Sequence, residues 1–254
     1  MIDSGRVLSK LDEFLSINDY SGAERHILYW LEEAKILNDK RTMLLLQNEL
    51  CGLYRKLQRE NDAITAVENA LSLVADMRIE NNVGAGTTYI NSATVLKAFG
   101  KSKDAVPLFE KALAVYKKEL PETDKRFGGL YNNMALALVD LKEFKKALEL
   151  YEKAISIMKN AENGMLEVAI TYLNIANLKE SEFGLEEAQD VIENMLDKAA
   201  KILDEYEPRN GYYAFVCEKC ASTYGYYGYF AYEDELKERA VKIYERSWSC
   251  RKIL

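Results

Sequence analysis

The sequence predicts an all-α fold, a right-handed α-α superhelix (solenoid) of about six helix-turn-helix units, and three observations carry that prediction. A triplet of small residues recurs as Cys51, Ala63 and Ala70, then Ala93, Ala105 and Ala112, then Ala135, Ala147 and Ala154, at intervals of 12 and 7 residues and a period of 42. Larger apolar residues surround each triplet at helical spacing, as with Tyr89, Leu96, Phe109 and Leu113, and then Tyr131, Leu138, Tyr151 and Ile155. Only 3 prolines and 13 glycines occur in 254 residues, which suits helices joined by short turns. A fixed period of this length means that each unit buries its apolar face by stacking on its neighbours.

The same spacing extends to both ends. Leu11, Ala23 and Trp30 precede the clear copies; Ala176, Ala188 and Met195, then Ala221, Glu233 and Ala240, follow them. Of these 18 positions 13 are Ala, although the whole chain of 254 residues holds only 26, so the register is a property of the sequence. Small residues belong where helices cross with axes about 8–10 Å apart, because a large side chain there would hold the backbones apart. The predicted helix pairs are 4–17 with 20–37, 41–57 with 60–78, 84–99 with 103–119, 125–141 with 144–160, 164–181 with 185–206, and 211–225 with 232–250. Phe99-Gly100-Lys101-Ser102 and Phe183-Gly184 read as turns within copies. Pro121-Glu122-Thr123-Asp124 and Pro208-Arg209-Asn210-Gly211 read as connections between copies. Ala199 and Ala200 predict a longer second helix in the fifth copy, and Glu233 stands at a position that is otherwise small. No long linker interrupts the pattern. A single domain over 1–254 is expected, with units at 4–37, 41–78, 84–119, 125–160, 164–206 and 211–250.

Tyr131-Asn132-Asn133-Met134-Ala135, followed by Ala147, Tyr151, Ala154 and Ile155, resembles the helix-turn-helix pattern of tetratricopeptide-repeat proteins. The usual unit of that family is about 34 residues. The longer period here, with the YNNMA segment, is similar to the repeats of kinesin light chains and of related bacterial proteins. The resemblance implies a protein-interaction scaffold whose first helices line a concave groove and whose second helices form the convex side.

Composition narrows the function classes. Apolar content of 48% with 30% charged residues fits a folded chain. The net charge of −7 argues against a general nucleic-acid binder, which needs a basic field. The opening MIDSGRVLSKLDEFL lacks the apolar core of a secretory signal, and no membrane span is apparent, so a cytoplasmic protein is expected. Cys217 and Cys220 form a lone CxxC, and with His26 as the single histidine a four-ligand zinc site lacks ligands. Helix packing is the better reading of that pair. Gly100-Lys101-Ser102 follows a helix where a phosphate-binding loop needs a strand. His26 has no evident catalytic partner in sequence. A non-enzymatic chain with no cofactor and no metal is therefore expected.

Candidate binding residues follow from the register. Asn91, Asn133 and Asn174 each stand two residues before the small residue of a first helix, with Asn132 and Asn177 near the same line. A carboxamide carries two donors and an acceptor, so such a ladder can hold a peptide backbone; bonding between neighbouring repeats is the alternative. Groove positions implied by the resemblance carry Asp12, Glu49, Asp140, Glu180 and Glu218 against Arg55, Lys56, Lys97 and Lys219, a nearly neutral lining. Arg55, Lys97 and Lys219 are the candidates for a carboxylate on the ligand. Residues 211–232 hold seven tyrosines and two phenylalanines, a composition suited to an interface. Tyr224 matches an inward position, whereas Tyr226, Tyr227 and Tyr229 crowd a Gly-flanked turn and cannot all point inward. The expected partner is an extended peptide or protein segment. A peptide sensor that changes its superhelix on binding, and a homo-oligomer joined through the tyrosine-rich unit, are the alternatives.

Overall fold

The computed structural model describes residues 2–251, with side chains described to residue 245; the side chain of Cys250 therefore lies outside the described residues. The chain divides into two compact units, residues 1–122 and 123–254.

The first unit holds six helices in three pairs: α1 (Ser4–Ser16) with α2 (Tyr20–Ile36), α3 (Lys40–Lys56) with α4 (Glu60–Asp76), and α5 (Val83–Ala98) with α6 (Ser102–Glu119). The second unit repeats the scheme with α7 (Arg126–Asp140) and α8 (Phe144–Met158), α9 (Met165–Phe183) and α10 (Leu185–Glu205), and α11 (Gly211–Tyr226) and α12 (Phe230–Arg251). No strand occurs among the described residues. The helices start where short polar side chains take up free backbone donors: Asp3 accepts from the Arg6 N–H, Asp39 from Thr42, Asn82 from Ala85, and Asn210 from Tyr212 and Tyr213.

Five of the six pairs close by the same turn. The residue seven after the small residue of the first helix is left-handed: Asn18 (φ 56°), Gln58 (φ 56°), Gly100 (φ 74°), Lys142 (φ 60°) and Gly228 (φ 86°). The next N–H then bonds back to the helix, from Asp19 to the Phe14 carbonyl, Arg59 to Tyr54, Lys101 to Leu96, Glu143 to Leu138 and Tyr229 to Tyr224, all at 2.9–3.0 Å. In the fifth copy one extra residue lengthens α9 and moves the left-handed position to Gly184 (φ 87°), where the turn lacks this return bond among the described residues. The long second helix expected there is the 21-residue α10.

Within a unit, paired helices pack on each other, α2 packs on α3, α4 on α5 and α8 on α9, and the first helices α3 and α5, α7 and α9, and α9 and α11 touch. The small positions lie at these crossings: Ala63, Ala70, Ala93, Ala105, Ala112, Ala135 and Ala147 are all 0% exposed. Tyr151 and Phe109 fill the space beside them and are equally buried. A second small position, not apparent in the triplet, lies seven residues earlier on the first helix. At Gly86 a Cβ would come within 2.6 Å of Tyr116 Cε1, and at Gly128 it would collide with the thioether of Met158. Ala169 and Ala214 occupy the same offset and are fully buried. Glu233 is accommodated by an exchange of size: it faces Gly225, where any Cβ would overlap its carboxylate, and it pairs with Lys237 at 2.7 Å.

Candidate protein-interaction surfaces

Within each unit, two asparagines on successive first helices bond between repeats. In the first unit Asn48 Nδ2 donates to Thr88 Oγ1 (3.0 Å) and to the Leu44 carbonyl (2.9 Å), while Asn91 Nδ2 donates to Asn48 Oδ1 (2.9 Å). In the second unit Asn174 Nδ2 donates to Asn132 Oδ1 (3.0 Å). The single hydroxyl hydrogen of Thr171 is shared between that same oxygen (3.2 Å) and the Glu167 carbonyl (2.8 Å). The two sets share one register, with Asn three before a small residue, then Thr five before and Asn two before the next small residue. Asn132 is buried, at 8% exposure, and holds α9 to α7. Asn91, Asn133 and Asn174 are half-buried. Asn91 and Asn174 each keep one amide hydrogen and the carbonyl oxygen beyond these bonds, and Asn133 makes no side-chain bond among the described residues. Thr88, Thr171 and Asn48 were not picked out from sequence, although their shared offsets were there to be read.

The remaining sequence-predicted residues fall into two groups. Arg55 and Lys97 lie on α3 and α5 of the first unit, Arg55 exposed and Lys97 half-buried. Lys219 is exposed on α11 of the second unit. Asn177, exposed on α9, joins a hydroxyl-rich cluster with α11. Tyr226 Oη donates to Glu180 Oε1 (2.6 Å), and Tyr227 Oη lies 2.9 Å from both Asn177 Oδ1 and Glu180 Oε2. Hydrogen bonding to the Glu180 carboxylate raises the Tyr226 phenol above its ordinary range; burial, then the same carboxylate, raises Tyr227. Asn177, Glu180, Ser181, Ser222, Thr223 and Tyr226 together line a depression of about 300 Å³ on the α9–α11 face. Tyr224 points inward as its spacing implies, and its hydroxyl donates to the Leu196 carbonyl (2.8 Å). Tyr226 and Tyr229 are 68% and 39% exposed.

In the first unit, Glu49 is partly buried beside Asp12, and desolvation, reinforced by that second carboxylate, raises its carboxyl. His26 bonds the Val7 carbonyl through Nε2 (3.0 Å) and sits tilted against Phe14 and edge-on to Trp30. Cys217 and Cys220 pack in the core of the second unit, and burial pushes the Cys220 thiol up to about 12. Such thiols are poor nucleophiles, since the thiolate is the reactive form. Among the described residues no group of three or more His, Cys, Asp or Glu side chains is placed to hold a metal ion, and no helix is long and apolar enough to cross a membrane.

Family models for the tetratricopeptide repeat match residues 42–118 and 129–161. No curated protein matches the sequence. Among solved structures, BtubC (BKLC) from P. vanneervenii is similar at 21% identity, with 80% of this chain and 82% of that one covered and a TM-score of 0.67. The type IV pilus biogenesis factor PilW is similar at 15% identity, covering 97% and 92%, with a TM-score of 0.60. A Podosopora anserina protein described as a kinesin light chain with nearly identical TPR-like repeats is similar at 18% identity, covering 81% and 96%, with a TM-score of 0.54. At these identities the likeness is one of fold. The repeat matches, the six copies of one helix pair and these neighbours agree on the fold: residues 42–118 and 129–161 match tetratricopeptide repeats, within an all-α repeat solenoid.

Proposed function

We propose that the chain is a non-enzymatic scaffold that holds an extended peptide or protein segment against the first helices of its repeats. Tetratricopeptide repeats generally mediate protein–protein interactions, and they typically serve as scaffolds rather than enzymes. The observation that carries the finer reading is the polar depression of the second unit. Its Asn177, Ser181, Ser222 and Thr223 side chains, with the Tyr226 phenol, offer donors and acceptors at one surface. The Glu180 carboxylate there accepts from two phenols and retains lone pairs for a peptide N–H or a cationic side chain. Asn133 and Asn174 extend the polar line on α7 and α9, and in the first unit Asn91, Arg55 and Lys97 are the corresponding groups. Asn132 serves the repeat contact instead.

The test is selection of binders from a random peptide library on the purified chain. The best binder is then measured against Asn177→Ala combined with Tyr226→Phe, and against Asn133→Ala combined with Asn174→Ala. The reading expects affinity to fall about tenfold or more in the first pair while the chain stays folded by circular dichroism, since hydrogen bonds to charged or aligned polar groups are of that size. Binders indifferent to both pairs would overturn it.

A further inference from the structure

On the second unit, away from the first-helix face, the turn between α11 and α12 opens a cleft against α10. Its volume is about 430 Å³, within the range of sites that take a peptide side chain or small ligand. The floor is apolar: Ile192 and Leu196 from α10, Leu185 at its start, and the rings of Tyr227 and Tyr229. The walls are fixed. Tyr227 is tied through its hydroxyl to Asn177 and Glu180, and Tyr229 sits edge-on to the buried Tyr224, with ring centroids 6.3 Å apart. Gly228, at φ 86°, makes the turn that presents both rings.

The mouth is acidic. Glu186 and Glu193 line the cleft and are exposed, and no basic residue lines it among the described residues. Seven residues apart on one helix, they stand two turns and about 10.5 Å from each other, on the same side. Gln189 lies between them and donates to Glu193 Oε1 (2.9 Å), leaving the second oxygen open. Phe183, Leu185 and Phe230, at 51%, 55% and 66% exposure, stand in the two turns that flank the cleft. Large exposed apolar side chains gathered beside a cleft mark a contact surface.

We propose that this cleft is a second docking site, which takes an extended segment carrying two basic side chains about three residues apart with large apolar residues between them. Three residues of a segment in the polyproline II conformation span about 9 Å and return the side chain to the same side, close to the separation of the two carboxylates. Arginine suits the site better than lysine, because its guanidinium bonds a carboxylate in a bidentate manner and stacks on a tyrosine ring. A second copy of this chain is a poorer occupant, since its net charge of −7 would be brought against the same acids. The carboxylates of this site take no part in the first-helix reading, although Tyr227 borders both surfaces.

The test uses fluorescein-labelled acetyl-Arg-Leu-Leu-Arg-amide and a control with both arginines replaced by citrulline, with anisotropy as the affinity readout and methyl NMR of the full chain for location. Binding of the arginine peptide is expected to shift the Ile192 and Leu196 methyls. The citrulline control, and the exposed double variant Glu186→Gln with Glu193→Gln, are each expected to weaken binding about tenfold or more. Failure of the wild-type chain to bind the peptide would overturn the proposal. So would equal affinity in the double variant, shifts confined to residues around Asn177 and Tyr226, or concentration-dependent self-association that blocks the cleft.

Discussion

Gly86→Ala isolates the physical claim on which the repeat rests, that helices approach too closely for a side chain at certain positions. The added Cβ would lie 2.6 Å from Cε1 and 3.0 Å from Cδ1 of Tyr116. That ring cannot swing away: it is 1% exposed, and its hydroxyl sits 3.1 Å from Thr87 Oγ1. Overpacking of a close-packed site costs about 1–3 kcal/mol, while Ala for Gly in a helix returns about 0.8–1 kcal/mol. The net expectation is a loss of about 1 kcal/mol, read from the midpoint of urea unfolding. In a Tyr116→Val background the ring is gone, and the same substitution is expected to stabilise by about the helix-propensity gain. The sign therefore reverses between the two backgrounds. Effects that add within about 0.5 kcal/mol, the behaviour of uncoupled sites, would refute the close-approach account.

Three further outcomes follow from the same structure. Lys142 is left-handed (φ 60°) where Gly100 and Gly228 occupy the equivalent turns, so Lys142→Gly is expected to raise stability by about 1 kcal/mol in denaturant unfolding. Asn48→Ala removes the partner of Asn91 and Thr88 and is expected to cost about 1–2 kcal/mol, whereas Asn133→Ala, which breaks no such bond, stays within about 0.5 kcal/mol. Glu49 has its folded pKa raised above 4.5 by burial and by Asp12, so the stability tied to its protonated form is fully present below 4.5 and is lost as pH rises through the folded value. Glu49→Gln is therefore expected to melt higher than the wild type at neutral pH, with the gap closing in acid; a gap that widens in acid would contradict the assignment.

The sequence carried the helices because the repeat states one rule along the whole chain, and the central copies place a small residue, a turn and another small residue at fixed offsets. Helix ends fell within about two residues of those read from the spacing, the usual scatter of such boundaries. What escaped was whatever varies in residue type while keeping its place. The second small position is Gly86, Gly128, Ala169 and Ala214 in successive copies, so no single letter repeats. Asparagine was legible as a register, but its partners sit one repeat away: Asn48 with Thr88 and Asn91, Asn132 with Thr171 and Asn174. The crowding of Tyr226, Tyr227 and Tyr229 was legible too, and the contact of Tyr226 and Tyr227 with Glu180 was not, because it joins side chains 46 and 47 residues apart. The acidic cleft over α10 has no sequence signature, since it is built from a turn and a helix face that only folding brings together.

The most direct measurement of the central claim is a titration of the chain, labelled with ¹⁵N in its asparagine side chains, with the best peptide from the library. If the first helices bind an extended segment, the carboxamide resonances of Asn133, Asn174 and Asn177 shift with the affinity found by anisotropy, while the buried Asn132 moves little. Saturable binding that leaves all three unshifted would contradict it.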